Sequence, residues 1–149
     1  MNRSSRYFID TNVFIYNVGR DHPYREPCQR VITAVAAGSL DAVTSTEVIQ
    51  EIAHRFRGVG QPVSGVAVAR EAMVCMRTVL PVRRSDVADM LDLLENHPHL
   101  SARDALHIAV ASRAGIEIIV TADRHFQDIP GVVAMHPLEL AAQLSAETP

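Results

Sequence analysis

Between Gly115 and Thr121 the chain reads Ile-Glu-Ile-Ile-Val, an apolar run bounded by turn signals and preceded by a strongly apolar helical stretch from Ala105 to Ala114. A run of this kind suits the centre of a parallel sheet, where a strand is covered on both faces. Parallel strands are joined by crossover helices rather than by tight turns. The rest of the chain alternates accordingly. Tyr7-Phe8-Ile9 is a short apolar strand that ends at Asp10. From Arg25 to Ala37 the residues Val31, Ile32, Val35 and Ala36 recur at helical spacing, and Gly38 stops the helix. Asp41 to Thr44 is a second strand. Ser45 to Arg57 follows as a helix with Val48, Ile49, Ile52 and Phe56 on one face, capped by Ser45 or Thr46. Gly58, Gly60 and Pro62 break it, and this segment is the expected mobile connection.

Val63 to Met76 is the next helix, and Thr78 to Leu80 a short strand. Ser85 or Asp86 is placed to cap a helix reaching Glu95, with Val87, Met90, Leu91 and Leu94 on one face. Ser101 opens the apolar helix, Val132 to Ala134 is a last strand, and Pro137 opens a terminal helix. Strands alternating with helices imply right-handed βαβ units. The expected fold class is α/β, a three-layer α/β/α sandwich around a mostly parallel sheet, in one domain over residues 1–149.

Composition narrows the function without naming it. Hydrophobic residues make up 48% and charged residues 21%, a globular balance. No apolar run approaches the ~18–20 residues of a membrane span, and no signal-peptide core precedes the first strand, so a cytoplasmic location is expected. Cys28 and Cys75 lie inside helical patterns and are expected to be free thiols. His97 and His99 have no Cys or Glu beside them and belong to a loop rather than a metal site. The net charge is −3, so bulk charge does not indicate nucleic acid. All 14 basic residues are arginine, and any phosphate contact from a basic side chain must therefore use a planar guanidinium.

In open parallel sheets, ligands bind beyond the carboxyl ends of the strands. Asp10, Thr11 and Asn12 follow the first strand; Ser45, Glu47 and Glu51 follow the second. Asp104 lies in the first turn of the buried helix, and Thr121 and Asp123 follow the strand after it. Each acid has a plain structural alternative. Asp10 suits a turn, Asp104 completes a Ser-Ala-Arg-Asp capping box, Asp123 can cap a short turn, and Glu51 can be a solvated helix residue. Together they converge on one sheet edge. Clustered carboxylates repel unless a cation lies among them, and oxygen-only ligands suit Mg²⁺ or Mn²⁺. A divalent cation there activates water and stabilises charge on phosphate oxygens, so phosphodiester hydrolysis is the expected chemistry.

The segments Phe8-Ile-Asp-Thr-Asn-Val-Phe14, Thr44-Ser-Thr-Glu-Val-Ile-Gln-Glu51, Leu100-Ser-Ala-Arg-Asp-Ala-Leu-His-Ile-Ala109 and Ile119-Val-Thr-Ala-Asp-Arg-His-Phe126 resemble, in order and spacing, the PIN-domain family and within it the VapC toxins of toxin–antitoxin pairs. The resemblance implies an endoribonuclease with Asp10, Glu51, Asp104 and Asp123 as metal-site carboxylates. Glu51 is favoured over Glu47 by its spacing from Ser45. Thr11, Asn12, Ser45 and Thr121 would hydrogen-bond those carboxylates and fix them. Many relatives carry an acid two residues past the Asp123 position, where this chain has His125. The resemblance also implies an RNA substrate, a homodimer and a small VapB-like antitoxin. Arg55, Arg57, Arg103 and Arg124 are the arginines nearest the acids in sequence. Other readings are a PIN nuclease acting on DNA flaps or in RNA processing, and a catalytically silent scaffold that binds RNA or protein. A haloacid-dehalogenase-type phosphatase would need an acid where Asn12 stands.

Overall fold

The computed structural model describes residues 5–148. Its elements run β1 (Tyr7–Ile9), α1 (Thr11–Val18), α2 (Arg25–Ala37), β2 (Ala42–Ser45), α3 (Thr46–Gly58), α4 (Pro62–Cys75), β3 (Val79–Leu80), α5 (Arg84–Asn96), α6 (Ala102–Arg113), β4 (Ile118–Val120), β5 (Val133–Met135) and α7 (Pro137–Glu147). The five strands form one sheet in the order β3-β2-β1-β4-β5, and every pairing is parallel. The seven helices flank it, giving the expected α/β sandwich.

The chain leaves β1 toward β2 and β3 on one side, then returns to build β4 and β5 on the other. The reversal falls between β1 and β4, which opens a crevice at their carboxyl ends. The seam there is closely bonded. Phe8 pairs with Ile119 and Ile9 with Val120, and the Asp10 N–H donates to the Val120 carbonyl at 3.0 Å. On the other flank of β1, the Thr44 hydroxyl donates to the Ile9 carbonyl at 2.9 Å. Phe8, Ile9, Val43, Val120 and Phe126 are fully buried in the core around this seam.

Several expectations shift at the element ends. No apolar periodicity marks α1, yet Asp10 caps it by accepting the Thr11 N–H, and the cap starts a helix in a stretch rich in Val, Ile and Asn. Gly115, at φ 72°, closes α6 by letting the Ile116 N–H reach the Ala111 carbonyl at 2.9 Å. Ile116 is thereby used by the helix end, and the strand begins only at Ile118. The segment around Gly58 and Gly60 is a tight hairpin turn rather than a loose connection. The N–H groups of Val59, Gly60 and Gln61 all bond back to Phe56 or Arg57. At Gly65 the two helices approach so closely that a Cβ would sit 2.5 Å from the Phe56 Cβ.

Helix α5 corrects two readings. Its cap is Arg83, not Ser85 or Asp86, and the Arg83 N–H donates to Asp86 Oδ2 at 2.8 Å. Asp86 is fully buried and accepts from Arg113 on α6 at 2.7 Å and 3.1 Å. With Asp86 turned inward, the helix buries Met90, Leu93 and Leu94 at the matching i+4, i+7 and i+8 positions. Val87 and Leu91 point out, exposed by 39% and 56%.

Burial pushes the Asp86 carboxyl up, but the Arg113 hydrogen bonds and charge and the Arg83 amide outweigh it and hold the carboxyl below its ordinary range. A lowered folded pKa adds stability above the unfolded value of about 3.9 and loses it as the solution is acidified further. We expect Asp86→Asn to lower unfolding free energy by about 2 kcal/mol at pH 7 in urea titrations, with the gap to wild type closing below about pH 4.

Candidate metal centre

Asp10 lies at the crevice because β1 ends there and α1 begins. Its side chain is held from three directions. Oδ1 accepts the Thr11 N–H at 2.8 Å, while Oδ2 accepts the Thr121 hydroxyl at 2.8 Å and the Asn12 amide at 3.0 Å. Asn12 spans the crevice, since its carbonyl oxygen accepts the Ala122 N–H at 3.0 Å. Thr121 spans it too: the hydroxyl that donates to Asp10 also accepts the Asp123 N–H at 3.0 Å. The β1 and β4 ends are thereby locked into one polar frame.

Glu51 reaches the same place from α3. The Ser45 hydroxyl caps that helix by accepting the Val48 N–H, so Ser45 orients Glu51 through the helix and bonds no site carboxylate. Glu51 is buried, and its Oε2 accepts from the Thr11 hydroxyl and from His107 Nε2, the latter at 3.0 Å. Glu47, half-buried one turn earlier, is in neither acidic group.

Asp104 comes from α6, which runs back against β4 and therefore starts at the carboxyl edge of the sheet. Only half of the anticipated capping box forms. The Ser101 hydroxyl accepts the Asp104 N–H at 3.1 Å, whereas the carboxylate turns toward His125, with Oδ2 3.8 Å from its Nδ1. Asp123 caps the 3-10 turn over Arg124–Phe126 through the His125 N–H, and the same oxygen lies 3.1 Å from His125 Nδ1.

The ligand atoms thus fall into two groups, each within 4.8 Å: Asp10, Glu51 and His107, and Asp104, Asp123 and His125. His107 has no role in the sequence reading. It is fully buried on an apolar helix, and the signal that places it is its position three residues after Asp104, on the same helix face. A carboxylate can only accept, so Nε2 carries the proton between His107 and Glu51. Nδ1 is buried without a partner. His125, the departure from the pattern of many relatives, supplies a nitrogen to the second group.

The electrostatics follow from this packing. Burial raises the Asp10 carboxyl, with the Glu51 charge adding to it, against lowering by His107, Thr121 and Thr11. Burial also opposes the charged forms of Glu51 and His107, but their mutual hydrogen bond and charges outweigh it, lowering Glu51 and raising His107. Asp104 is pushed up to about 6 by burial and by the charges of Asp10 and Asp123. Carboxylate oxygens grouped this closely, each group with one imidazole nitrogen, are donors that suit a metal ion.

The PIN domain family model matches residues 7–132. The chain belongs to the PIN-domain family. Over 125 residues it is 37% identical to Ribonuclease VapC13 of Mycobacterium tuberculosis, covering 83% of this chain and 95% of that protein. Over 116 residues it is 39% identical to Ribonuclease VapC23 of the same species, covering 78% and 91%. Among solved structures, its fold is similar to that of the sarcin–ricin loop cleaving toxin VapC20 of M. tuberculosis, with TM-score 0.66 and 20% identity over 79% of this chain and 90% of that one. It is similar also to DNA-bound VapBC from Salmonella typhimurium, with TM-score 0.69 and 17% identity over 89% and 98%.

An aspartate whose folded pKa is raised weakens the fold above that pKa and ceases to do so as pH falls toward the unfolded value. Without divalent cation, Asp104→Asn is expected to be more stable than wild type above pH 6, by on the order of 2 kcal/mol in denaturant titrations. That advantage vanishes near about pH 4, where the carboxyl is protonated in both states. Added Mg²⁺ is expected to raise the melting temperature of wild type and to leave that of Asp104→Asn nearly unchanged.

Proposed function

We propose that this chain is a metal-dependent endoribonuclease acting as the toxin of a VapBC-type pair. The observation that carries the reading is the convergence of Asp10, Glu51, Asp104 and Asp123 on the crevice between β1 and β4, with the Asp104 carboxyl pushed up to about 6 by burial and by the charges of Asp10 and Asp123. Relatives at 37–39% identity are named ribonucleases, which supports the same activity here.

The four carboxylates would hold Mg²⁺, or Mn²⁺ in its place. When bound, such an ion activates water and stabilises charge developing on the phosphate. The protein's own part is positional. Thr121, Asn12 and the Thr11 amide fix both oxygens of Asp10. The Thr11 hydroxyl and His107 fix one oxygen of Glu51 and leave the other free to bind. Ser101 sets the first turn of α6 and with it the backbone of Asp104. Arg55, whose charge reaches Glu51, is exposed, as is Arg124 beside Asp123; both are available to RNA phosphates. Arg57 instead lines a cleft with Pro62 and Val66, and Arg103 is half-buried.

A small VapB-like antitoxin and a homodimer complete the proposal. Solved VapBC assemblies of the same fold support the antitoxin, and α4 leaves Val63, Val66, Met73 and Val74 exposed, an apolar face that suits a protein partner. Among the described residues no helix is long and apolar enough to cross a membrane.

Purified protein should cut structured RNA with Mg²⁺ or Mn²⁺ and lose the activity in EDTA. Asp10→Asn should cut at least about a hundredfold more slowly. Equal cutting by wild type and variant, or indifference to EDTA, would overturn the assignment. In cells, expression without an antitoxin should arrest growth, and Asp104→Ala should relieve the arrest. A silent scaffold would arrest equally in both forms or in neither.

A further inference from the structure

An aromatic strip lies on the same end of the sheet, and hydrolysis makes no use of it. β5 ends at Met135, whose carbonyl accepts the Thr121 N–H at 3.0 Å; Thr121 is the residue whose hydroxyl holds Asp10. The next residue, His136, stands edge-on to Tyr24 with ring centroids 4.5 Å apart. Tyr24 lies 4.7 Å from His22 and 5.4 Å from Tyr16, and Tyr16 lies 4.7 Å from His22. Four rings from α1, the segment before α2 and the start of α7 thus meet one residue from the strand end bonded to the site. Tyr24 and His136 are half-buried and His22 is exposed, so the strip is anchored in the fold and open at one side.

Arg124 provides the charge. It follows Asp123 directly, is exposed, and forms no ion pair among the described residues. Partial burial and the Arg124 charge hold the His136 imidazole below its ordinary range, against the opposing charge of Glu139. A chain of net charge −3 with an acidic crevice needs such a cation beside the crevice to receive a polyanion. Aromatic faces next to a free guanidinium are how proteins take unpaired bases, whose faces are open, and not duplexes, whose faces are covered.

Resting on the ribonuclease reading, we propose that Tyr24, His22 and His136 form a stacking subsite for unpaired RNA bases flanking the phosphate at the carboxylates, with Arg124 contacting the phosphate between them.

The test is binding without cleavage. Fluorescence anisotropy in EDTA would compare a single-stranded RNA of about ten nucleotides with the same RNA annealed to its complement. Tyr24→Ala should weaken single-strand binding about tenfold and His22→Ala about threefold, while Tyr24→Phe stays within about twofold of wild type. Duplex binding should be unchanged in all three. Unchanged single-strand affinity in both alanine variants, an equal loss on duplex, or a loss in Tyr24→Phe as large as in Tyr24→Ala would overturn the subsite. His22 is exposed, so His22→Ala carries the test if Tyr24→Ala melts early. Because EDTA removes cleavage from the assay, ring-dependent binding without metal-dependent cutting would spare the subsite and sink the nuclease. Metal-dependent cutting with ring-independent binding would do the reverse.

Discussion

Repulsion among four carboxylates drawn into one crevice is the constraint around which the rest of the molecule is arranged. Left alone, that charge would spread the strand ends apart or protonate the acids. The fold resists with hydrogen bonds from groups that cannot move. Thr11 and Thr121 sit directly after or beside strand ends, and Asn12 bridges from the first turn of α1 to the segment after β4. His107 stands against Asp10 and Glu51, and His125 against Asp104 and Asp123, so the acids fall into two smaller groups. Burial, together with the charges of Asp10 and Asp123, pushes the Asp104 carboxyl up to about 6.

Position and support come from different layers of the fold. The parallel order of the strands brings Asp10 and Asp123 together at the reversal point between β1 and β4. Two helices deliver Glu51 and Asp104, and both are anchored at the end that matters: α3 by Ser45, α6 by Ser101. At its far end α6 is tied to α5 by the half-buried Arg113 and the buried Asp86, a pair remote from the chemistry that sets where the helix lies.

Much of this was legible in the residues. The strand over Tyr7–Ile9, the apolar run that ends at Val120 and the helices opened by Ser101 and closed by Gly38 follow from burial pattern and capping chemistry, which are local properties. The four acids could be placed on one edge because parallel topology decides where strand ends go. What stayed hidden depends on contacts between distant segments. Helix α1 is started by the Asp10 cap against weak propensity. The inward face of α5 is set by a buried aspartate whose partner lies 27 residues away. His107 reads as one polar residue in an apolar helix until α3 brings Glu51 against it. The rings of Tyr24 and His136 are more than a hundred positions apart and meet only through folding.

The hydrogen bonds that hold Asp10 also close the central seam of the sheet. Asp10 donates its backbone N–H to Val120 across β1 and β4, and its carboxylate takes the hydroxyl of the next residue on that side, Thr121. Such a site has no local opening of its own: loosening Asp10 means parting the two innermost strands. Its amide protons would then exchange with solvent only through the rarest, most complete unfolding events, while loop tips and chain ends exchange freely. The carboxylate cluster is accordingly a fixed template, and whatever adjustment accompanies RNA binding falls to the substrate and to the exposed side chains at the rim.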